Sequence, residues 1–185
     1  MNFDDIINEF NNALEKDCDS IINEIENFKK NVLGAKKAVT YNAFDKIIPI
    51  TLNSKQMTYQ FTELKNESGV YVFVINSSCV ICNGFNKTNT YRAKLRKSKS
   101  SFNKGDILYI GKCGQLDSRM KSHLDNSETN KVGSLKLTTQ ERKNLIGNFT
   151  IYSFCLRAEY KNYYSMIATK VERTLRDKLN PDVGQ

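Results

Sequence analysis

Gly69-Val70-Tyr71 and Tyr109-Ile110-Gly111 stand far apart in the chain, and each puts a phenol beside a glycine. Arg119 follows with His123 four residues on, and Glu172 lies near the C-terminus. Two phenols, a guanidinium and a carboxylate make a set suited to hydrolysing a phosphodiester with a metal ion. Glu172 is a hard oxygen ligand for one Mg²⁺ or Mn²⁺ acting as a Lewis acid at phosphate. The planar fork of Arg119 matches two phosphate oxygens at once, a geometry lysine lacks. A phenol of pKa about 10 is only on the order of 0.1% ionised at pH 7. A tyrosine therefore acts as a base only where cations depress that value or where it hands a proton onward. Lys112 and His123 are the helpers nearby in sequence. His123, the chain's one histidine, shares a helix face with Arg119, a placement that fits either proton shuttling or structure.

These residues also have ordinary readings. Glu172 and Arg119 suit a solvated helix face, and either tyrosine suits a half-buried strand. Gly111-Lys112-Cys113-Gly114 lacks the spacing of a phosphate-cradling loop.

The positioning elements follow from periodicity. Residues 1–33 read as one or two helices, with Phe3, Ile6, Ile7, Phe10 and Leu14 on one face, then Ile21, Ile22, Ile25, Phe28 and Val32, ending at Gly34. This segment packs on the main domain or pairs with a second copy. Residues 35–68 show no clear pattern, so 1–68 reads as a helical N-terminal extension and 69–185 as the main domain. Val70–Ile75 and Ile107–Ile110 read as antiparallel strands, the second broken by Gly111 and Gly114. A polar insertion, 76–105, separates them. Leu116–Leu124 reads as a helix, Thr138 with Glu141 as a capping box, Phe149–Leu156 as a third strand, and Tyr164–Leu179 as a helix stopped at Asn180-Pro181. The expectation is an α+β fold: a small three-stranded antiparallel sheet flanked by helices.

Charge is uneven. Residues 1–30 carry eight acidic and three basic side chains, so the rest of the chain carries +13 against a net of +8 for the whole. Lys87, Arg92, Lys94, Arg96, Lys97, Lys99 and Lys104 form a basic run without one acid, which suits a polyanion and the release of its counterions. No run approaches a membrane span, and the acidic start lacks the basic opening of a signal peptide, so a cytoplasmic location without membrane is expected. Five cysteines are irregularly spaced; Cys79 and Cys82 make half a zinc site with no second pair, which favours free thiols.

The ordered set Gly-Val-Tyr, Tyr-Ile-Gly, Arg-x-x-x-His, a late helical Glu and an Asn before Pro resembles the GIY-YIG nuclease family over about residues 69–182, the insertion excepted. The resemblance carries the family's functional positions onto Tyr71, Tyr109, Gly111, Arg119, His123, Glu172 and Asn180, with Gly69 and Lys112 beside them. It implies Tyr71 as the base, Tyr109 as an orienting donor, Glu172 as the metal ligand, and Gly69, Gly111 and Asn180 as support. Valine replaces isoleucine in the first string, and the connection between the strings exceeds the family's short one. The implied activity is a metal-dependent endonuclease on double-stranded DNA, with one ion per active site. A chain of this size resembles a type II restriction enzyme of that family, for which a homodimer suits two-fold DNA sites. A structure-specific repair nuclease and a non-catalytic DNA-binding module are the alternatives.

Overall fold

The computed structural model describes residues 3–30, 43–51, 61–80, 101–124, 134–135, 137 and 148–183. Its elements are helix α1 (Phe3–Lys30), strands β1 (Phe44–Thr51), β2 (Gly69–Ile75), β3 (Cys79–Val80), β4 (Ser101–Phe102) and β5 (Ile107–Cys113), helix α2 (Leu116–Leu124), strand β6 (Phe149–Leu156) and helix α3 (Tyr164–Leu179). Among the described residues no helix is long and apolar enough to cross a membrane.

The class is α+β, but the main sheet has four antiparallel strands rather than the expected three, in the order β1-β6-β2-β5. The strand missing from the sequence reading is β1, which pairs with β6. Its signal was weak for physical reasons. Asp45 and Lys46 are exposed, a register slip falls between Phe44 and Lys46, and Pro49 interrupts the run. Proline is tolerated because β1 lies at the sheet edge.

Strands β2 and β6 are buried along their whole length because both faces of the sheet are covered. On one face Tyr71, Phe73, Leu108 and Tyr109 pack with Leu116, Met120 and Leu124 of α2. On the other, Val70, Val72, Val74 and Ile110 pack with Ile167, Ala168, Val171 and Leu175 of α3. Helix α1 joins this second layer through Leu14, Cys18, Ile21 and Ile25, which recur at helical spacing. Asp17 accepts from the Ala43 amide (3.0 Å) and Asp19 pairs with Lys178 (2.6 Å), tying α1 to the start of β1 and the end of α3.

The β2–β5 register decides where the phenols sit. Tyr71 faces Gly111 and Phe73 faces Tyr109, but the next pair is Val74 with Ile107, so Leu108 is an extra residue. The regular pairs put Tyr109 on the Tyr71 face, and the bulge turns Ile107 to the α3 face. Contrary to expectation, Gly111 does not break β5, which runs on to Cys113. Beyond β5 the chain end covers the sheet edge, as the Asp182 and Val183 amides donate to the Ile107 and Leu108 carbonyls (2.8 and 2.9 Å).

The insertion leaves the end of β2 through the two-stranded β3-β4 ribbon and returns by a turn in which Gly105 takes φ 88°. Phe102 anchors it in the core. Lys87, Arg92, Lys94, Arg96, Lys97 and Lys99, together with Cys82 and the Thr138–Glu141 capping box, lie outside the described residues. Lys104 is described, and it is exposed.

Candidate active site

The site is built around one phenol oxygen. Tyr71 projects from β2, and its hydroxyl lies 2.7 Å from Nε2 of His123 and 3.1 Å from Nε of Arg119, both on α2. Arg119 and His123 reach the same atom because they are one helical turn apart. The segment after α2 locks both. The Leu135 amide donates to Nδ1 of His123 (2.9 Å), the Leu137 amide donates to the His123 carbonyl (3.0 Å), and Arg119 donates from Nη1 to the hydroxyl of Ser134 (3.0 Å).

Those contacts fix the protonation of the imidazole. An N–H pointed at Nδ1 requires a lone pair there, so the neutral ring carries its proton on Nε2 and donates to Tyr71. Burial first, and then the Arg119 charge, hold the His123 pKa well below its ordinary 6.5. Of the two readings of His123 this geometry favours the structural one, since taking up a second proton would set N–H against N–H at Nδ1. His123 is a fixed donor.

Tyr71 departs from expectation in the same direction. A base role required either cations that depress its pKa or an onward path for its proton, and the first condition is not met. Burial instead pushes it well above 10 and outweighs the lowering by Arg119. Its oxygen is enclosed by His123, Arg119 and the backbone of Gly111. A side-chain carbon at position 111 would stand 2.4 Å from that oxygen.

Tyr109 lies beside Tyr71 with ring centroids 6.0 Å apart, meets the His123 ring edge-on at 4.9 Å, and hydrogen-bonds Arg119. Gly69 has a separate reason to be glycine, since a Cβ there would lie 1.9 Å from the Phe154 carbonyl oxygen of the adjoining strand.

Helix α3 covers the opposite face of the sheet from Tyr71, yet Glu172 reaches the same neighbourhood around the β5 edge. Arg176 is the bridge. It pairs with Glu172 at 3.0 Å, donates to the Ile110 carbonyl at 2.9 Å, and lies over the Tyr109 ring at 5.9 Å. Burial raises the Glu172 pKa above 4.5, opposed by Arg176, Lys112 and Arg119 in that order. Lys112 leaves the end of β5 and donates to Thr169 on α3 (2.7 Å). An open cleft of about 500 Å³ lies between these elements, lined by Lys112, Cys113, Gly114, Gln115, Ser118, Arg119 and Tyr164.

Thus Tyr71, Tyr109, Arg119 and His123 meet directly, and Lys112 and Glu172 adjoin them. Asn180 serves the scaffold: it closes α3 in the left-handed conformation (φ 45°, ψ 67°), its amide donating to Arg176. Sequence reasoning missed Ser134, Leu135, Tyr164 and Arg176. Arg176 was legible as the i+4 partner of Glu172, and Tyr164 as two turns before it on one helix stripe. Nothing local marks Ser134 or the Leu135 amide.

Among the described residues no three His, Cys, Asp or Glu side chains gather, so a cation would rest on Glu172 alone. Its Oε1 meets Arg176, and no described protein group is paired with Oε2. One partly buried carboxylate, near the Arg119 and Lys112 that line the cleft, fits a hard divalent ion that keeps waters and takes phosphate oxygens as its other ligands.

Comparison of the chain with protein-family models, curated proteins and solved structures finds no match in any of the three.

Proposed function

We propose that this protein is a divalent-metal-dependent endonuclease that hydrolyses phosphodiester bonds in DNA. The observation that carries the reading is a cleft lined by a partly buried, oriented arginine (Arg119) and a lysine (Lys112), with the Glu172 carboxylate of a third element near enough to feel both charges. The motif order that resembles the GIY-YIG nucleases supports it independently.

Hydrolysis forms a P–O bond from water and breaks the one to the leaving alkoxide, and negative charge grows on the non-bridging oxygens between those events. Groups that meet this charge already in place contribute most, because they need no reorganisation during the reaction. Arg119 meets that condition. Three acceptors hold its guanidinium: the Tyr71 and Tyr109 hydroxyls and Ser134. Lys112 adds a second positive charge at the mouth of the cleft. Mg²⁺ or Mn²⁺ held by Glu172 would supply Lewis-acid charge to the same oxygens.

In this reading Tyr71 and His123 are positioning residues. Their hydroxyl and imidazole form a neutral buried layer that sets the angle of Arg119. Sequence-specific restriction by a homodimer is the proposed biological setting, with double-stranded DNA as substrate.

The test is incubation of the purified chain with plasmid and Mg²⁺, alongside Glu172→Ala and Arg119→Ala. Discrete fragments from the wild type, lost in both variants, are expected. Smearing would assign a nonspecific or structure-guided enzyme, and DNA binding without cleavage under either metal would sink the catalytic proposal.

A further inference from the structure

We infer that Tyr163, Met166, Lys170 and Arg173 form the track along which the DNA strand leaves the cleft, with a base next to the cut phosphate stacked on the Tyr163 ring. The inference rests on the nuclease reading and adds a second contact surface to it.

Tyr163 (58% exposed) and Met166 (54%) are the large apolar side chains left in solvent among the described residues. They lie three residues apart, at the entry to α3. Lys170 and Arg173 follow at intervals of four and three, so Met166, Lys170 and Arg173 share one face of α3, and Tyr163 stands at its N-cap. The adjoining face of the same helix carries the site: Tyr164 lines the cleft, Thr169 holds Lys112, and Glu172 lies one turn further on. Tyr163 directly precedes the cleft-lining Tyr164 and Lys170 directly follows the Thr169 that holds Lys112, so the stripe borders the path of a strand whose phosphate sits at Arg119 and Lys112.

The chemistry of the stripe selects its occupant. Lys170 and Arg173 are exposed, neither forms an ion pair with a described residue, and the first carboxylate on that face is Asp177. A second copy of the chain would bring the same cations against one another in a two-fold contact. Single-stranded nucleic acid supplies what the stripe lacks, π-faces for an aromatic ring and phosphates for two cations. Stacking on one exposed ring needs a base that is unpaired or can leave the duplex, so the partner is a strand with an unstacked nucleotide beside the cut.

The experiment measures binding of a fluorescein-labelled duplex carrying a single-stranded tail to the full chain in EDTA, where cutting is prevented. Tyr163→Ala should weaken binding roughly 5- to 100-fold, the range for loss of one base–aromatic stack. The double change Lys170→Ala with Arg173→Ala should flatten the log affinity against log salt slope by about 1.5. Because the chain has no tryptophan, Tyr163→Trp creates a sole indole reporter, and its emission should be quenched to saturation by the same DNA. Unchanged affinity in Tyr163→Ala, or no quenching at saturation, overturns the track even where the wild type cuts DNA. Self-association abolished by Met166→Lys overturns it in favour of a dimer face. Weakened binding with quenching, in a chain that cuts nothing with either metal, upholds the track while the nuclease reading fails.

Discussion

A side-chain carbon at position 111 would stand 2.4 Å from the Tyr71 hydroxyl oxygen and 2.8 Å from Cε1 of Tyr109, so Gly111 is the floor on which the two phenols meet. Cross-strand pairing creates this closeness, because Tyr71 and Gly111 are register partners in β2 and β5. Gly111→Ala should therefore push Tyr71 off His123 and Arg119, at a stability loss of about 1–3 kcal/mol, the usual range for overpacking. Gly114 is the control. Its added carbon would meet only the Tyr164 ring, at 3.7 Å, so Gly114→Ala should leave the melting temperature unchanged. Equal behaviour of the two variants in thermal unfolding would contradict the packing account.

Arg119→Lys should cost cleavage on the order of 10²–10³-fold, as loss of a preorganised donor does, although charge is conserved. Lysine cannot serve Tyr71 and Ser134 with separate nitrogens while presenting a fork to phosphate. Single-turnover rates on plasmid check this, and near-normal rates would remove Arg119 from the site.

Tyr71→Phe separates positioning from base catalysis. Loss of the hydroxyl removes one hold on Arg119 and the Nε2 partner of His123, and misplacement of a catalytic group by about 1 Å costs roughly 10²-fold. Since the Tyr71 pKa lies well above 10, the variant's rate should fall by a constant factor from pH 6 to pH 9. A wild-type rate that climbs with pH in this range, with the climb lost in Tyr71→Phe, would restore the phenol as the base.

His123 gives the folded state its own pH signature. Its folded pKa is depressed, so between that value and about 6.5 the unfolded chain binds more protons than the folded one. The stability contributed by the neutral ring is therefore fully present above pH 6.5 and is lost as pH falls toward the folded value, at no more than about 1.4 kcal/mol per pH unit. With one histidine in the chain, His123→Gln should flatten the fall in melting temperature between pH 7 and pH 5.5. An unchanged fall would assign it to other groups.

Glu172 predicts a second pH effect, on binding. Burial raises its carboxyl above 4.5, so it takes up a proton at a higher pH than an exposed glutamate would. Mn²⁺ affinity measured calorimetrically should decline as pH is lowered through that raised value, and Glu172→Gln should abolish the metal heat at pH 7. Residual one-to-one binding in Glu172→Gln would place the cation elsewhere.

Much of this arrangement was legible in the sequence where the signal is local. The runs Phe149–Leu156, Leu116–Leu124 and Tyr164–Leu179 declared themselves because apolar residues recur at the period of the element that buries them. The pairing of Arg119 with His123 followed from the geometry of one helical turn. What stayed hidden depends on contacts between residues distant in the chain. Strand β1 exists because β6 offers a partner edge, and neither Pro49 nor Asp45-Lys46 hints at it. The Leu108 bulge, which turns Ile107 to the α3 face just before Tyr109, is a product of register. The nearness of Glu172 to the charges of Lys112 and Arg119 depends on how α3 packs on the sheet, and the tautomer of His123 hangs on an amide twelve residues away. Residue type and spacing determined which chemical groups this protein owns; tertiary structure decided which of them are charged, enclosed or open to a ligand, because burial and hydrogen-bond partners are properties of neighbours in space.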